Sequence, residues 1–246
     1  MTEATVQQSA TTTREQIWLN REQVRKEKPA YRALKRAQDI FFSLLALIVL
    51  SPLLLIVAIA IVIDDPKGSP IFTQVRSGID GKEFRIHKFR SMCVDAEAKL
   101  ADLKLHTEMN GPIFKQKDDP RITRVGHFIR KCGIDELPQL INILKGDMSI
   151  VGPRPERKCL AEEISKEIPE FCYRLKVRGG LTGYAQIYGK YNTSAYDKLR
   201  LDMMYIENYS PLLDIRLIIL TLRIIFSKDS TEGIDVAMMS VRLGAT

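Results

Sequence analysis

Cysteine is scarce in this 246-residue chain: Cys93, Cys132, Cys159 and Cys172 are the four present, with no CxxC pair among them. That is too few and too scattered for a disulfide scaffold, and it suits a reducing compartment with buried or incidental thiols. The three histidines, His87, His106 and His127, lack metal-ligand spacing, so surface or core roles suit each of them. The nucleotide-binding patterns GxGxxG and GxxxxGK[ST] are missing, since Gly189-Lys190 runs into Tyr191. So is the nucleophile elbow GxSxG. The N-terminus, MTEATVQQSATTTREQ, has no basic start leading into an apolar run, so it does not read as a secretory signal. No internal repeat or low-complexity tract occurs. The triplets beginning at Asn192 and Asn208 match the glycosylation pattern, as short triplets often do by chance.

What is present is an ordinary hydrophobic share of 45% and an excess of base over acid. Lys plus Arg number 37 and Asp plus Glu 30, a net charge of +7. This excludes wholesale disorder and a collagen-like chain, and the length allows one domain with appendages. The apolar residues are unevenly spread. Ile40 to Ile63 carries no charge over 24 residues. As a straight helix it covers about 36 Å, enough to cross a hydrocarbon core of ~30 Å. A soluble core helix seldom stays apolar all round for so long, so the segment reads as membrane-embedded.

Whether it spans is a separate question. Ser51-Pro52 stands at its midpoint, and an interior proline removes a hydrogen bond and bends a helix. Each arm, 40–50 and 53–63, is then about 16 Å long. Both flanks are basic: Arg25, Lys26, Lys28, Arg32, Lys35 and Arg36 precede it, and Lys67, Arg76, Lys82, Arg85, Lys88 and Arg90 follow. The positive-inside tendency places both flanks in the cytoplasm. A helix–break–helix entering and leaving one leaflet satisfies that, and a kinked true span is the alternative.

Beyond Asp64-Asp65-Pro66 the texture is that of a soluble domain. Ile71–Val75 and Glu83–Phe89 flank Asp80-Gly81, which predicts a β-hairpin. Helices are predicted over Cys93–Met109, Asp135–Lys145 with Leu137, Leu140, Ile141 and Leu144 on one face, Leu160–Ile168 and Tyr196–Asn208. Gly146-Asp147 ends the second of these, Gly152–Pro155 is a rigid turn, and Gly179-Gly180 opens a loop. Pro211–Phe226 suits either a helix lying in the membrane interface or the last core helix.

The stretch most suggestive of chemistry is Asp119–Glu156. Asp135-Glu136 stands at a predicted helix start with Pro138 in the first turn. Arg121, Arg124, Arg130 and Lys131 precede the pair and Arg154 follows. Two carboxylates among five basic residues suit a metal ion and phosphates, and a helix start adds free amides. The plainer reading makes Asp135 an N-cap and Glu136 a favourable first-turn acid. Arg85, Lys88 and Arg90 form a second basic cluster, suited to phosphate or to anionic lipid.

Five motifs occur in order: Lys88-Phe-Arg-Ser-Met92, Phe114-Lys-Gln-Lys-Asp-Asp-Pro-Arg-Ile-Thr123, Asp135-Glu-Leu-Pro-Gln-Leu140, Lys145-Gly-Asp-Met-Ser-Ile-Val-Gly-Pro-Arg-Pro155 and Gly180-Leu-Thr-Gly-Tyr-Ala-Gln186. Together, from about Tyr31 to Phe226, they closely resemble the bacterial sugar transferases, the monotopic polyprenyl-phosphate phosphoglycosyl transferases. The resemblance implies a mainly α fold with a small β-hairpin. It implies a monotopic membrane protein with one re-entrant helix–break–helix at Ser51 and Pro52 and interfacial amphipathic helices. The expected organisation is a polar tail over 1–30, the membrane helix over 31–66, a cytosolic catalytic domain over 67–226 and a C-terminal tail over 227–246, the minimal catalytic form of the family.

The activity implied is transfer of a sugar-1-phosphate from a UDP-sugar to undecaprenyl phosphate with release of UMP, at the cytoplasmic face of the bacterial inner membrane. It initiates exopolysaccharide, capsule or O-antigen-type glycans. Carried over, Asp135 is the nucleophile, Glu136 helps hold Mg²⁺, and Lys88, Arg90, Arg130 and Arg154 bind phosphate or nucleotide. Membrane lipids are partners and nucleic acid is not; a homodimer and other glycan-assembly enzymes are further partners the resemblance allows. Residues 180–200 are expected to touch the nucleotide or sugar. Lys131–Ile134 and Arg178–Gly180 depart from common family patterns, which bears on donor preference. A membrane scaffold of a glycan-assembly complex without turnover is the non-enzyme alternative, and both dyad carboxylates speak against it.

Overall fold

The computed structural model describes residues 29–96, 98–99, 119–189 and 193–226. The expected tails, the helix beyond Lys99 and the start of the Phe114–Thr123 motif lie outside the described residues.

The first element, α1 (Pro29–Asp64), contains the whole uncharged run. It is long and apolar enough to cross a membrane by length and composition, and only 11% of its apolar window is buried. Ile48, Val49, Leu55, Ile56 and Ile63 are all more than 60% exposed, so the protein itself leaves this surface uncovered. The chain does not leave the helix at Ser51-Pro52: α1 is one continuous helix with Pro52 inside it, at a position where proline bends a helix and need not interrupt it. The reason is local. Proline supplies no N–H to the carbonyl four residues back, which is that of Ile48. The Ser51 hydroxyl donates to that same Ile48 oxygen at 2.8 Å, so the freed acceptor keeps a partner.

Both ends of α1 are tied to the domain that follows. Near the start, Lys35 Nζ pairs with Asp214 at 2.7 Å and the Tyr31 hydroxyl donates to the same oxygen at 2.9 Å. Arg36 donates to the carbonyls of Ile143 and Leu144 at 2.5 and 2.6 Å. Asp39, 3% exposed, accepts from Ser149 Oγ and Ile150 N, each at 3.0 Å. At the far end, Asp64 accepts from Val125 N at 3.0 Å and Asp65 pairs with Arg90.

The predicted hairpin is there, slightly longer than expected. Strands β1 (Ile71–Ser77) and β2 (Glu83–Phe89) pair antiparallel from Ile71 opposite Phe89 to Ser77 opposite Glu83. Asp80 and Gly81 both take positive φ, 52° and 77°, which explains the choice of Asp-Gly. Helix α2 (Arg124–Lys131) follows, N-capped by Thr123, whose hydroxyl accepts from Gly126 N at 3.0 Å. The predicted helix from Asp135 is split into a 3₁₀ turn over Ile134–Glu136 and α3 (Gln139–Lys145), which Gly146 ends in left-handed conformation.

The face α3 buries also differs from the prediction. Gln139, Leu140, Asn142 and Ile143 are buried, while Ile141 is 40% exposed. Asn142 goes inward because it completes the free edge of β2: its Nδ2 donates to Arg85 O at 2.7 Å and its Oδ1 accepts from His87 N at 2.9 Å.

Strand β3 (Met148–Val151) leads into the Gly152–Pro155 turn. Then come α4 (Lys158–Glu167), a 3₁₀ helix over Pro169–Lys176, and β4 (Gly179–Thr182). The loop expected at Gly179-Gly180 is thus a strand, parallel to β3. Glycine makes this pairing possible: a Cβ on Gly180 would sit 2.1 Å from Gly152 N. The chain closes with α5 (Tyr184–Tyr188), α6 (Ala195–Asn208) and α7 (Pro211–Phe226).

Three apolar clusters hold these elements. Val151, Phe171, Tyr184, Leu199, Tyr205 and Leu217 centre the largest, around α5 to α7. Val57 and Ile61 of α1 pack with Phe89 and Ile129, and Ile86, Leu140, Ile143 and Met148 form the third, with Ala46 and Leu47 of α1 against it. Helix α7 serves both readings offered for it. Leu217 lies in the core, while Leu212, Ile215, Ile219 and Leu222, spaced three and four apart, form an exposed apolar stripe.

Candidate active site

The dyad lies on the short link between α2 and α3. Gly133, at φ 67°, turns the chain out of α2, a conformation a side-chain-bearing residue seldom adopts. The amides of Glu136 and Leu137 close the following 3₁₀ turn onto Gly133 and Ile134 oxygens. Those two amides are therefore engaged within the turn and are not among the free helix-start donors. Asp135 does not serve as an N-cap either, since Gly133 holds that position.

The two adjacent carboxylates have opposite environments. Glu136 Oε1 accepts from Lys88 Nζ at 3.0 Å and Arg154 Nη2 at 2.5 Å. Its Oε2 accepts from Arg154 Nη1 at 3.1 Å and Gln139 Nε2 at 3.0 Å. Four donors thus meet about four lone-pair sites. Burial works to raise the Glu136 carboxyl, but the charges and hydrogen bonds of Arg154 and Lys88 outweigh it and hold the group well below the usual carboxylate range. Asp135 is half-buried and accepts no hydrogen bond from any of the described residues. Burial, reinforced by the Glu136 charge, pushes its carboxyl up; Lys88, Arg130 and Arg154 oppose this. One carboxylate is fixed and the other is unengaged.

The residues marked in the sequence divide accordingly. Lys88, Asp135, Glu136 and Arg154 come together from β2, the 3₁₀ turn and the loop after β3. Arg130, exposed in the last turn of α2, acts on Asp135 through its charge. Arg90 does not join them. Its guanidinium is engaged by Asp65, by Gly68 O at 3.2 Å and, through Nε, by Ser69 O at 2.8 Å, so it clamps the loop leaving α1. Arg121 is likewise turned inward onto Asp119, Nε to Oδ1 at 2.9 Å and Nη2 to Oδ2 at 2.6 Å. Ser51 and Pro52 are exposed at mid-helix.

Sequence reasoning missed Gln139 and Asn142. Gln139 had a legible signal, three residues after Glu136 on a helical path. Asn142 had none, because its partner is the backbone of a strand 55 residues away.

A cleft of about 500 Å³ opens beside Arg154, lined also by Ser77, Gly78, Lys158, Phe171 and Arg174. The segment 180–200 contributes little to it. Tyr184, Ile187, Tyr188 and Leu199 are core residues, because the parallel β3–β4 pair carries that segment inward.

Among the described residues no cluster of three or more His, Cys, Asp or Glu side chains forms a ready-made metal site. The dyad nevertheless fits Mg²⁺ in kind. That ion takes hard oxygens and is commonly held by one or two carboxylates together with substrate phosphates. With the Glu136 oxygens fully engaged, an ion held there would have to displace one of the four donors.

Comparison with known proteins identifies the family. The bacterial sugar transferase family matches residues 30–228. The chain is 42% identical over 202 residues to a UDP-N-acetylgalactosamine-undecaprenyl-phosphate N-acetylgalactosaminephosphotransferase of Aeromonas hydrophila, covering 81% of this chain and 45% of the relative. It is 40% identical over 195 residues to a UDP-glucose:undecaprenyl-phosphate glucose-1-phosphate transferase of Escherichia coli strain K12, covering 77% and 39%. It is 36% identical over 222 residues to an undecaprenyl-phosphate galactose phosphotransferase of Salmonella typhimurium, covering 87% and 45%. The chain therefore spans less than half the length of these three relatives. With the family matched across almost the whole described region, from the apolar helix α1 through the dyad to α7, the chain belongs to the bacterial sugar transferases.

Proposed function

We propose that the chain moves a sugar-1-phosphate from a UDP-sugar to undecaprenyl phosphate, releases UMP, and thereby starts an exopolysaccharide, capsule or O-antigen-type glycan. The observation that carries this reading is the unengaged carboxylate of Asp135 beside the fully engaged Glu136. An Asp oxygen attacks the β-phosphorus of the donor, the bond from that phosphorus to the bridging oxygen breaks, and UMP leaves. A lipid phosphate oxygen then attacks the same phosphorus and Asp135 departs as carboxylate. Covalent relay splits one transfer into two and lets a soluble donor and a lipid acceptor use one site in turn.

Anion repels anion in both steps, so positive charge must surround the phosphates. Lys88, Arg130 and Arg154 supply it. Glu136, with the donor phosphates, would hold Mg²⁺ in this reading, and a bound ion would supply Lewis-acid neutralisation of phosphoryl charge. The relatives are named for three different sugars, so the reading commits to a class of donor.

The reading places the site at the cytoplasmic face of the inner membrane, with α1 entering and leaving one leaflet. In support, Lys35 and Asp64 are 29 residues apart, about 44 Å along a straight helix, yet both bind the same domain. A helix crossing the bilayer would put them on opposite sides. The exposed stripe of α7 suits the interface beside it.

Detergent-purified protein with Mg²⁺, undecaprenyl phosphate and a panel of UDP-sugars tests the reaction. UMP released with one donor, and lost in Asp135→Asn, supports it. Release of UDP would identify a transferase that moves the sugar alone.

A further inference from the structure

The loop that presents Arg154 has an unusual problem of attachment. Pro153 and Pro155 flank the arginine and have no N–H, so carbonyl oxygens are the main handles by which the turn can be held. Each of the three is taken by a donor from a different element. Gly180 N of β4 donates to Pro153 O at 2.8 Å. Arg174 Nη2 of the 3₁₀ helix donates to Arg154 O at 2.9 Å, and Arg76 Nη1 of β1 donates to Pro155 O at 3.1 Å.

Arg174 is the most constrained of these donors. Its side chain is 5% exposed, and its Nε donates to Asp202 Oδ2 at 2.6 Å, an oxygen on a side chain that is itself 1% exposed. The guanidinium carbon also lies 4.5 Å from the centre of the Phe171 ring. A buried ion pair seldom stabilises a fold more than an apolar pair of the same volume. What a planar guanidinium adds is direction: with Nε on Asp202 and one face on Phe171, the plane is fixed and the place of Nη2 is fixed with it. There Nη2 meets the Arg154 carbonyl.

We propose that Arg174 is a positioning residue of the active site, fixing the Arg154 carbonyl so that the Arg154 side chain meets Glu136 with both arms. Its effect on rate rests on the proposed transferase activity; its effect on the turn does not.

Arg174→Lys keeps a cation beside Asp202 and removes the fork. Amide hydrogen exchange over peptides containing Gly152 and Gly180 reads the turn directly, with the β1–β2 hairpin as internal reference. Protection at Gly180 is expected to fall roughly tenfold with the hairpin unchanged. Unchanged protection, or equal loss in both places, overturns the proposal. A double-mutant cycle reads the link to Arg154. Arg174→Lys should slow UMP release about tenfold in the wild-type background and less than about twofold when Arg154→Lys is already present. The same factor in both backgrounds means a merely structural role. If Arg174→Lys does not fold, Asp202→Asn, which leaves Arg174 without its charge partner, enters both tests with the same expectations. A wild-type protein that releases no UMP refutes the transferase reading, and the exchange measurement still decides the role of Arg174.

Discussion

Arg154 meets Glu136 with both arms of its guanidinium, Nη2 to Oε1 at 2.5 Å and Nη1 to Oε2 at 3.1 Å. The two residues come from different elements, 18 positions apart, and the contact closes the site between the loop after β3 and the turn before α3. A fork on a carboxylate fixes direction as well as charge. Glu136 is thereby held still while Asp135, its neighbour in the chain, is left open.

Arg154→Lys keeps the charge and loses the fork. The rate of UMP release should fall roughly tenfold or more, with the melting temperature little changed, because a lysine cannot bridge both oxygens. Steady-state kinetics beside a thermal melt check this, and a wild-type rate would remove Arg154 from the machinery.

Asp135→Asn should abolish turnover without unfolding the protein. The sign of its effect on stability follows from the raised Asp135 carboxyl. A group whose folded pKa is raised prefers its neutral form in the fold, so its charge costs stability above the carboxylate range. The asparagine variant should therefore melt at or above wild type at neutral pH, and the gap should close as pH falls into the acidic range. A variant markedly less stable than wild type at neutral pH contradicts the burial argument.

Glu136→Gln replaces an acceptor of four hydrogen bonds with a group that can accept at only one oxygen. Turnover should drop, and the Mg²⁺ concentration for half-maximal rate should rise by about tenfold, as when metal-site partners are lost. An unchanged Mg²⁺ titration would count against the metal role.

Pro52→Ala restores an N–H to the Ile48 carbonyl and removes the ring that bends the helix. Accessibility labelling in vesicles should then find the two ends of α1 on opposite faces, against the same face in wild type. Because the Ser51 hydroxyl stands in for the missing donor, Ser51→Ala should lower the melting temperature in wild type and leave Pro52→Ala nearly unaffected.

Local chemistry was legible in the sequence. The hairpin follows from Asp80-Gly81, α6 and α7 follow from periodicity, and the end of α3 follows from Gly146, because each depends on residues within one turn of one another. The dyad and its company of Lys88 and Arg154 were legible too, as motifs. Arg90 shows where such reasoning stops. Arg90 and Arg154 are equally basic on paper, yet one faces three backbone oxygens and the Asp65 carboxylate of the loop after α1 and the other faces Glu136.

Charge, the uncharged run of 24 residues and the places where the chain turns can all be read one short stretch at a time. Folding settles the rest: which of two adjacent carboxylates is engaged, that Asn142 faces inward, that Gly180 belongs to a strand, and that both ends of the apolar helix are held by one domain. The physical reason is common to all four. A hydrogen bond or a close approach needs a partner within a few ångströms, and for these residues the partner lies tens to more than a hundred positions away in the chain.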